Sequence, residues 1–111
     1  MLNHREKRRY IAIMYDEKTI LSPFQLYEKI AERFKELFGA INCELAMLKL
    51  YDSKLGNILF LRCKLKYLDY LLVSLNMTQP SFTVVSLSGT IKRLRKNVMS
   101  LDIRNIKSIA K

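Results

Sequence analysis

Residues 41–65 read INCELAMLKLYDSKLGNILFLRCKL, in which two largely apolar segments flank the short turn sequence KLGN. Apolar segments around a glycine-containing turn predict a β-hairpin, with strands at residues 41–53 and 57–65. With the two middle letters of KLGN as the turn, the numbers of opposed residues sum to 111, so that Lys49 faces Arg62. The hairpin therefore has one predicted register.

Side chains alternate between the two faces of each predicted strand. One face of the hairpin is wholly apolar and is expected to pack against helices: Ala46, Leu48, Leu50, Leu59, Leu61 and Cys63. The other face mixes basic, aromatic and aliphatic side chains: Met47, Lys49, Tyr51, Ile58, Phe60, Arg62 and Lys64. The hairpin thus separates a predicted core from a predicted surface.

A strand and a helix precede the hairpin. RRYIAIMY, at residues 8–15, is rich in strand-forming side chains. Ser22 followed by Pro23 is typical of a helix N-cap and first turn, and Gly39 is typical of a C-terminal cap. Between them, apolar residues recur at helical spacing and predict one buried stripe: Leu26, Ile30, Phe34, Leu37 and Phe38.

A second helix and a fourth strand follow the hairpin. The helix is predicted at about residues 66–77, and the strand is SFTVVSLS at residues 81–88, which follows Pro80. Beyond Gly89 the sequence predicts a basic helix and then a further short helix from Leu101 to Ala110. The buried stripe of the second helix consists of leucines: Leu68, Leu71, Leu72 and Leu75.

The order strand, helix, strand, strand, helix, strand predicts a ferredoxin-like α/β (α+β) sandwich. Residues 1–111 are expected to form one domain with a single modest core. Right-handed crossovers place both helices on one face of a four-stranded antiparallel sheet, in which the strands follow the order 4-1-3-2. The C-terminal helices are expected to cover an edge or part of the open face.

The net charge of +10 is concentrated at the two ends of the chain. Residues 1–9 hold four basic residues and one acidic residue, and residues 89–111 hold seven and one, so the ends contribute +3 and +6. Such an excess favours an anionic partner, most often the phosphate backbone of a nucleic acid. An acidic protein or a membrane surface is the alternative.

The predicted sheet brings the two basic ends together. Strands one and four are antiparallel neighbours in the predicted order, so residues 5–9 lie beside the helix that begins after Gly89. The backbone amides of this helix N-terminus and the hydroxyls of Ser88 and Thr90 favour a phosphate at the same place. The alternative is that the hydroxyls only cap the helix while the basic side chains face water.

Several kinds of site are not expected from the sequence. The single histidine, His4, forms no zinc-ligand spacing and no nucleophile pair with Cys43 or Cys63. Each cysteine is expected to be a buried thiol, with a disulfide as the alternative. The segment DEKTIL after the first strand lacks the glycine-rich anion loop of a small phosphatase, and NILFLRCKL lacks the aromatic pattern of an RNA-recognition motif. A soluble, cytoplasmic protein with no catalytic residues and no membrane partner is expected.

Three segments resemble the family of ribonuclease P protein component 2, known from archaea and as a subunit of the eukaryotic ribonuclease P and MRP particles. They are REKRRYIAI near the N-terminus, LRCKLKYLD at residues 61–69 and VSLSGTIKRL at residues 85–94. The resemblance runs from about residue 5 to residue 96, and leaves out residues 97–111. Family members are ferredoxin-like sandwiches with extra helices.

The resemblance implies a role in tRNA processing. The RNA subunit of ribonuclease P carries the catalytic site and uses Mg²⁺, while this protein needs no cofactor of its own. Paired with protein component 3, it binds the catalytic domain of the RNA and assists removal of the 5′ leader from precursor tRNA. Implied partners are the ribonuclease P RNA, component 3, the other ribonuclease P proteins and, indirectly, precursor tRNA. A homodimer or a heterotetramer is also implied.

The resemblance and the charge pattern together predict the following RNA contacts: Arg5, Lys7, Arg8, Arg9, Arg62, Lys92, Arg93, Arg95 and Lys96. Three residues of the mixed hairpin face are predicted to bind protein, with packing under the C-terminal helices as the alternative: Met47, Tyr51 and Phe60. Two other functions stay open. One is a general RNA-binding or ribosome-associated protein, and the other is a ferredoxin-like regulatory or dimerisation module.

Overall fold

The computed structural model describes the backbone of residues 7–109 and the side chains of residues 7–101. Arg5, a predicted RNA contact, lies outside this range. The helices and strands in chain order are β1 (Arg8–Tyr15), α1 (Pro23–Phe38), α2 (Ala40–Ala46), β2 (Lys49–Asp52), β3 (Ile58–Lys64), α3 (Leu68–Asn76), β4 (Phe82–Ser88) and α4 (Ile91–Ile109). A 3-10 turn at Leu65–Tyr67 precedes α3.

The four strands form one antiparallel sheet in the order β2-β3-β1-β4, which confirms the predicted ferredoxin-like topology. The hairpin register is also confirmed, because Lys49 pairs with Arg62 and Tyr51 with Phe60. Both pairs sum to 111, as the turn predicts. The faces of β2 and β3 are therefore those expected from the sequence.

Helix α1 begins and ends at the predicted signals. The backbone N–H of Gln25 donates to Ser22 Oγ at 3.2 Å, and the Ser22 N–H donates to Gln25 Oε1 at 2.8 Å. This reciprocal pair satisfies two donors that the first turn of a helix otherwise leaves without partners. At the other end, Gly39 adopts a φ of 92° and its N–H donates to the Lys35 carbonyl. The buried residues of the stripe are Leu26, Ile30 and Phe34.

The prediction of a strand through residues 41–46 is wrong, because Ala40–Ala46 forms helix α2 and strand β2 begins only at Lys49. Cys43 and Ala46 are buried whereas Ile41 is 75% exposed. Buried positions three residues apart lie on one face of a helix, but on opposite faces of a strand. The helix ends at Met47, which adopts a left-handed conformation with a φ of 51°.

Two apolar clusters lie on opposite faces of the sheet. The larger joins the sheet to α1, α2 and α3, and includes Ile11, Ile13, Leu59, Leu61 and Cys63 from the strands. The smaller joins it to α4 and consists of Ala12, Phe60, Leu94 and Val98, with partly buried residues around them. Helix α4 thus covers part of the open face, as expected. It is one continuous helix, so the separate short helix predicted from Leu101 is wrong.

Candidate nucleic-acid interface

Four basic side chains lie on the face of the sheet that carries α4, near the start of β1. Strand register brings them together, because Arg8 pairs with Lys64, and Arg62 lies between Tyr10 and Lys49. Alternation places all of them on the side opposite α1 and α3. Arg8 and Lys49 are exposed, and the other two cations are partly exposed. We call this group the basic corner: Arg8, Lys49, Arg62 and Lys64.

Tyr51 orients two cations of the basic corner. Arg62 Nη1 donates a hydrogen bond of 3.3 Å to Tyr51 Oη, and Lys49 Nζ lies 5.1 Å from the centre of the Tyr51 ring. The rings of Tyr10 and Tyr51 pack edge to face, with 5.9 Å between their centres. A cation held over an aromatic ring loses conformational freedom without losing its charge. The corner is therefore a partly ordered cationic surface.

The start of helix α4 lies beside the start of β1. Tyr10 pairs with Ser88, the last residue of β4, and Arg9 Nη1 would lie 3.7 Å from a Cβ atom placed on Gly89. Arg9 alternates away from the basic corner, but its guanidinium donates to the Arg8 carbonyl at 2.9 Å and so stays at the end of the strand. This geometry confirms that the end of β4 and the start of α4 lie beside the start of β1, as the strand order predicts.

Both hydroxyls at the start of α4 accept hydrogen bonds from nearby backbone amides. Thr90 Oγ1 accepts the backbone N–H of Arg93 at 3.2 Å and so caps the helix, whereas Ser88 Oγ accepts the N–H of Thr90 at 3.3 Å in the turn before it. The capping alternative that the sequence left open therefore describes Thr90. The positive end of the helix dipole still points to the same side as Arg9, which favours an anion near this end.

Helix α4 divides its side chains between the core and solvent. Leu94 and Val98 are buried against the sheet, whereas Lys92, Arg93 and Lys96 are exposed. We call these three cations the basic face of α4. We use the name basic surface for these three cations together with Arg9 and the basic corner, eight cations in all, which are carried by β1, β2, β3 and α4.

Arg95, a predicted RNA contact, has partners within the protein. Its Nη1 donates to the Ser53 carbonyl at 2.7 Å, and its Nη2 donates to the Asp52 carbonyl at 3.2 Å. The guanidinium carbon lies 5.1 Å from the centre of the Phe60 ring. Arg95 therefore links α4 to the end of β2, a role that the charge pattern does not predict.

The three predicted protein contacts have separate positions. Phe60 is fully buried beneath α4, so the packing alternative describes it and the prediction of an exposed interface residue is wrong. Tyr51 belongs to the surroundings of the basic corner. Met47 is not on the mixed strand face, because it ends α2, but its side chain is 45% exposed. Lys7, a further predicted RNA contact, is exposed just before β1.

Three residues of this surface were not predicted as sites: Tyr10, Lys49 and Lys64. The hairpin pattern could have indicated both lysines, because the register places Lys49 opposite Arg62 and alternation along β3 places Lys64 on the same face. Tyr10 could be found only by adding the pairing of β1 with β3. Residues of the basic surface are thus identified better from neighbouring positions in the sheet than from runs of charge along the sequence.

The two cysteine thiols are weak nucleophiles in the folded protein. Cys43 and Cys63 are free and buried. Burial raises the pKa of the Cys63 thiol to about 12, and burial is also the main reason why the pKa of Cys43 is raised. Both thiols therefore stay protonated near neutral pH, where only a thiolate attacks or binds metal effectively.

Two further observations concern metals and membranes. Within the described part of the chain, no three His, Cys, Asp or Glu side chains are grouped so that they could hold a metal ion. No helix described by the structure is long and apolar enough to cross a membrane.

A protein family and a solved structure are similar to this chain. The model of the Rpp14/Pop5 family matches residues 9–99. A chain in a solved structure, described as "Cryo-EM structure of yeast Ribonuclease MRP", is similar with a TM-score of 0.60 and 11% identity. The similarity covers 96% of this chain and 99% of that chain, and at this identity it concerns the fold. No curated protein matches the sequence.

Proposed function

This chain belongs to the Rpp14/Pop5 family, and we propose that it is a protein subunit of a ribonuclease P or MRP particle whose basic surface binds the particle's RNA. The family match agrees with the resemblance found in the sequence. The RNA-binding part of the proposal rests on one observation. Two basic segments far apart in sequence adjoin on one surface, where β1 begins and β4 ends.

The basic surface suits a phosphate backbone for an electrostatic reason. Its cations lie on three strands and one helix, so they can follow a backbone across the surface instead of meeting a single anion. Each phosphate that they neutralise releases condensed counterions from the RNA. With six or more such contacts, affinity is expected to fall about a thousandfold between roughly 50 and 200 mM salt.

The proposal assigns the chemistry of cleavage to the RNA. Mg²⁺ would be held by the RNA, and the protein would lower the repulsion between backbone segments that the active shape of the RNA brings together. We further propose that the reaction is removal of the 5′ leader from precursor tRNA and that protein component 3 acts beside this chain. The resemblance in the sequence supports these two points.

Reconstitution tests the proposal. Precursor tRNA, the ribonuclease P RNA and component 3 are combined at low Mg²⁺ concentration, with or without this chain, and 5′ leader release is measured. A higher cleavage rate with the chain is expected, because neutralised phosphates need less Mg²⁺ for folding. RNA binding without any gain in rate would instead indicate a general RNA-binding protein, and would contradict the proposal.

A further inference from the structure

A groove of about 420 Å³ runs between α1 and α2, on the side of the sheet opposite α4. Apolar atoms form much of its lining, with Ala31, Cys43 and Leu48 among the contributing residues. Two large apolar side chains at the groove are exposed to solvent, Phe24 by 59% and Met47 by 45%. Its volume falls within the roughly 300–1,000 Å³ typical of ligand clefts.

The lining of the groove is acidic although the chain is strongly basic. Three glutamates and one lysine line it, which gives a local formal charge of −2 in a chain of +10. Within residues 7–101, none of the three carboxylates lies within 4.0 Å of a basic nitrogen. The charged residues of the groove are Glu28, Glu32, Lys35 and Glu44.

This arrangement has a cost for the isolated chain. Glu28 and Glu32 are four residues apart on α1, and like charges at this spacing destabilise a helix. The exposed Phe24 and Met47 side chains leave apolar surface in water at the same place. A partner that supplies positive charge and apolar contact would relieve both costs.

We propose that this groove binds a lysine or arginine side chain of another protein subunit in the particle. The proposal rests on the proposed function, which gives the chain protein partners. A long basic side chain has an apolar stem and a charged head, so the stem can lie on the apolar lining while the head reaches the carboxylates. The floor is held in place by the Tyr27 hydroxyl, which donates to the Leu48 carbonyl at 3.1 Å.

The same charges argue against RNA as the occupant. Phosphates would face three carboxylates and one ammonium group, so they would be repelled where the basic surface on the other side attracts them. The protein would therefore present its two sides to different partners. RNA would bind beside α4, and a basic protein segment would bind between α1 and α2.

Site-specific crosslinking in the reconstituted particle tests this inference. Phe24→p-benzoylphenylalanine places a photoreactive group at the groove, and because Phe24 is 59% exposed the added benzoyl group does not have to enter the core. After irradiation, the crosslinked peptide is identified by mass spectrometry. A crosslink to another protein subunit, close to a lysine or arginine, is expected. A crosslink to RNA, a crosslink to a second copy of this chain, or no crosslink would overturn the inference.

Charge removal provides the matched comparison. The variant E28Q/E32Q/E44Q removes the three carboxylates of the groove and leaves Lys35 in place, and E17Q/E36Q/D69N removes three carboxylates elsewhere on the surface. The crosslink is expected to weaken about tenfold in the first variant and to stay near the unmutated yield in the second, since losing one partner of an interfacial charge pair is costly. Equal yields in the two variants would refute the role of the carboxylates.

RNA affinity, measured on the same samples, separates this inference from the proposed function. We expect the variant E28Q/E32Q/E44Q to bind the RNA as the unmutated chain does, while its crosslink to protein weakens. If the unmutated chain neither binds the RNA nor raises the cleavage rate, the proposed function fails. If it does both while its groove crosslinks to no protein, only the groove inference fails.

Discussion

Replacing Arg95 by methionine tests whether this residue holds α4 on the hairpin. The guanidinium donates to the Ser53 and Asp52 carbonyls at 2.7 and 3.2 Å and lies 5.1 Å from the centre of the Phe60 ring. Methionine keeps an unbranched apolar stem but removes the charge and both donors. The variant R95M is therefore expected to lose stability.

The size of the loss follows from these contacts. A hydrogen bond from a charged donor contributes roughly 1.5–3 kcal/mol. Because Arg95 is partly exposed, water can reach the two carbonyls when the side chain is removed, so we expect about 2 kcal/mol for the pair. Small proteins lose about 1–3 kcal/mol of stability per molar urea. The urea midpoint of R95M is thus expected about 1 M below that of the unmutated protein.

Two control variants separate stability from RNA binding. R95K keeps the charge but cannot span both carbonyls with a planar fork, so it is expected to lose most of the same stability. K96M removes an exposed charge next to it, and is expected to unfold at the unmutated midpoint. The urea midpoints of both variants are measured by circular dichroism. If R95M and R95K unfold like the unmutated protein, and R95M alone loses RNA affinity, the structural role of Arg95 is refuted.

Two further predictions concern the basic surface and the core. The charge reversal K92E/R93E is expected to weaken RNA binding at least about tenfold near 100 mM salt, with an unchanged urea midpoint. The control K18E/K29E makes the same charge change in the β1–α1 loop and on α1, and is expected to have a much smaller effect on RNA binding. Equal losses of RNA binding in the two variants would indicate only an effect of net charge. Burial raises the pKa of Cys63 from 9.0 to about 12, so folding keeps this thiol protonated. Its contribution to stability is complete below its ordinary pKa and is lost as the pH rises toward 12. A thiol reagent at about pH 8 is expected to label Cys63 only after unfolding, and rapid labelling of the folded protein would contradict this prediction.

The parts of the fold that the sequence predicts are those set by short-range geometry. The KLGN turn leads to one register, and all four pairs of β2 with β3 follow it. Ser22, Pro23 and Gly39 act on the backbone next to them, so the ends of α1 are also predicted correctly. The joining of the basic segments follows from strand order alone.

The remaining features depend on contacts between distant segments. Residues 41–46 contain too few residues to distinguish a period of two from one of 3.6, and the packing of Cys43 and Ala46 against the core decides for a helix. Without α2 there is no groove, so the acidic lining could not be predicted. Arg95 resembles its exposed neighbours in sequence, and only the approach of α4 to Ser53 distinguishes it.

The pairing of β2 with β3 limits how relatives of this protein can vary. A shift of this pairing by one residue would place Lys49 opposite Cys63 instead of Arg62. Side chains of the two strands alternate between faces, and the shift would therefore force a lysine and a core residue to share a face. Residues 53–57 join the two strands outside the pairing, so we expect related sequences to vary in this loop more freely than in the alternation of basic and core residues along the strands.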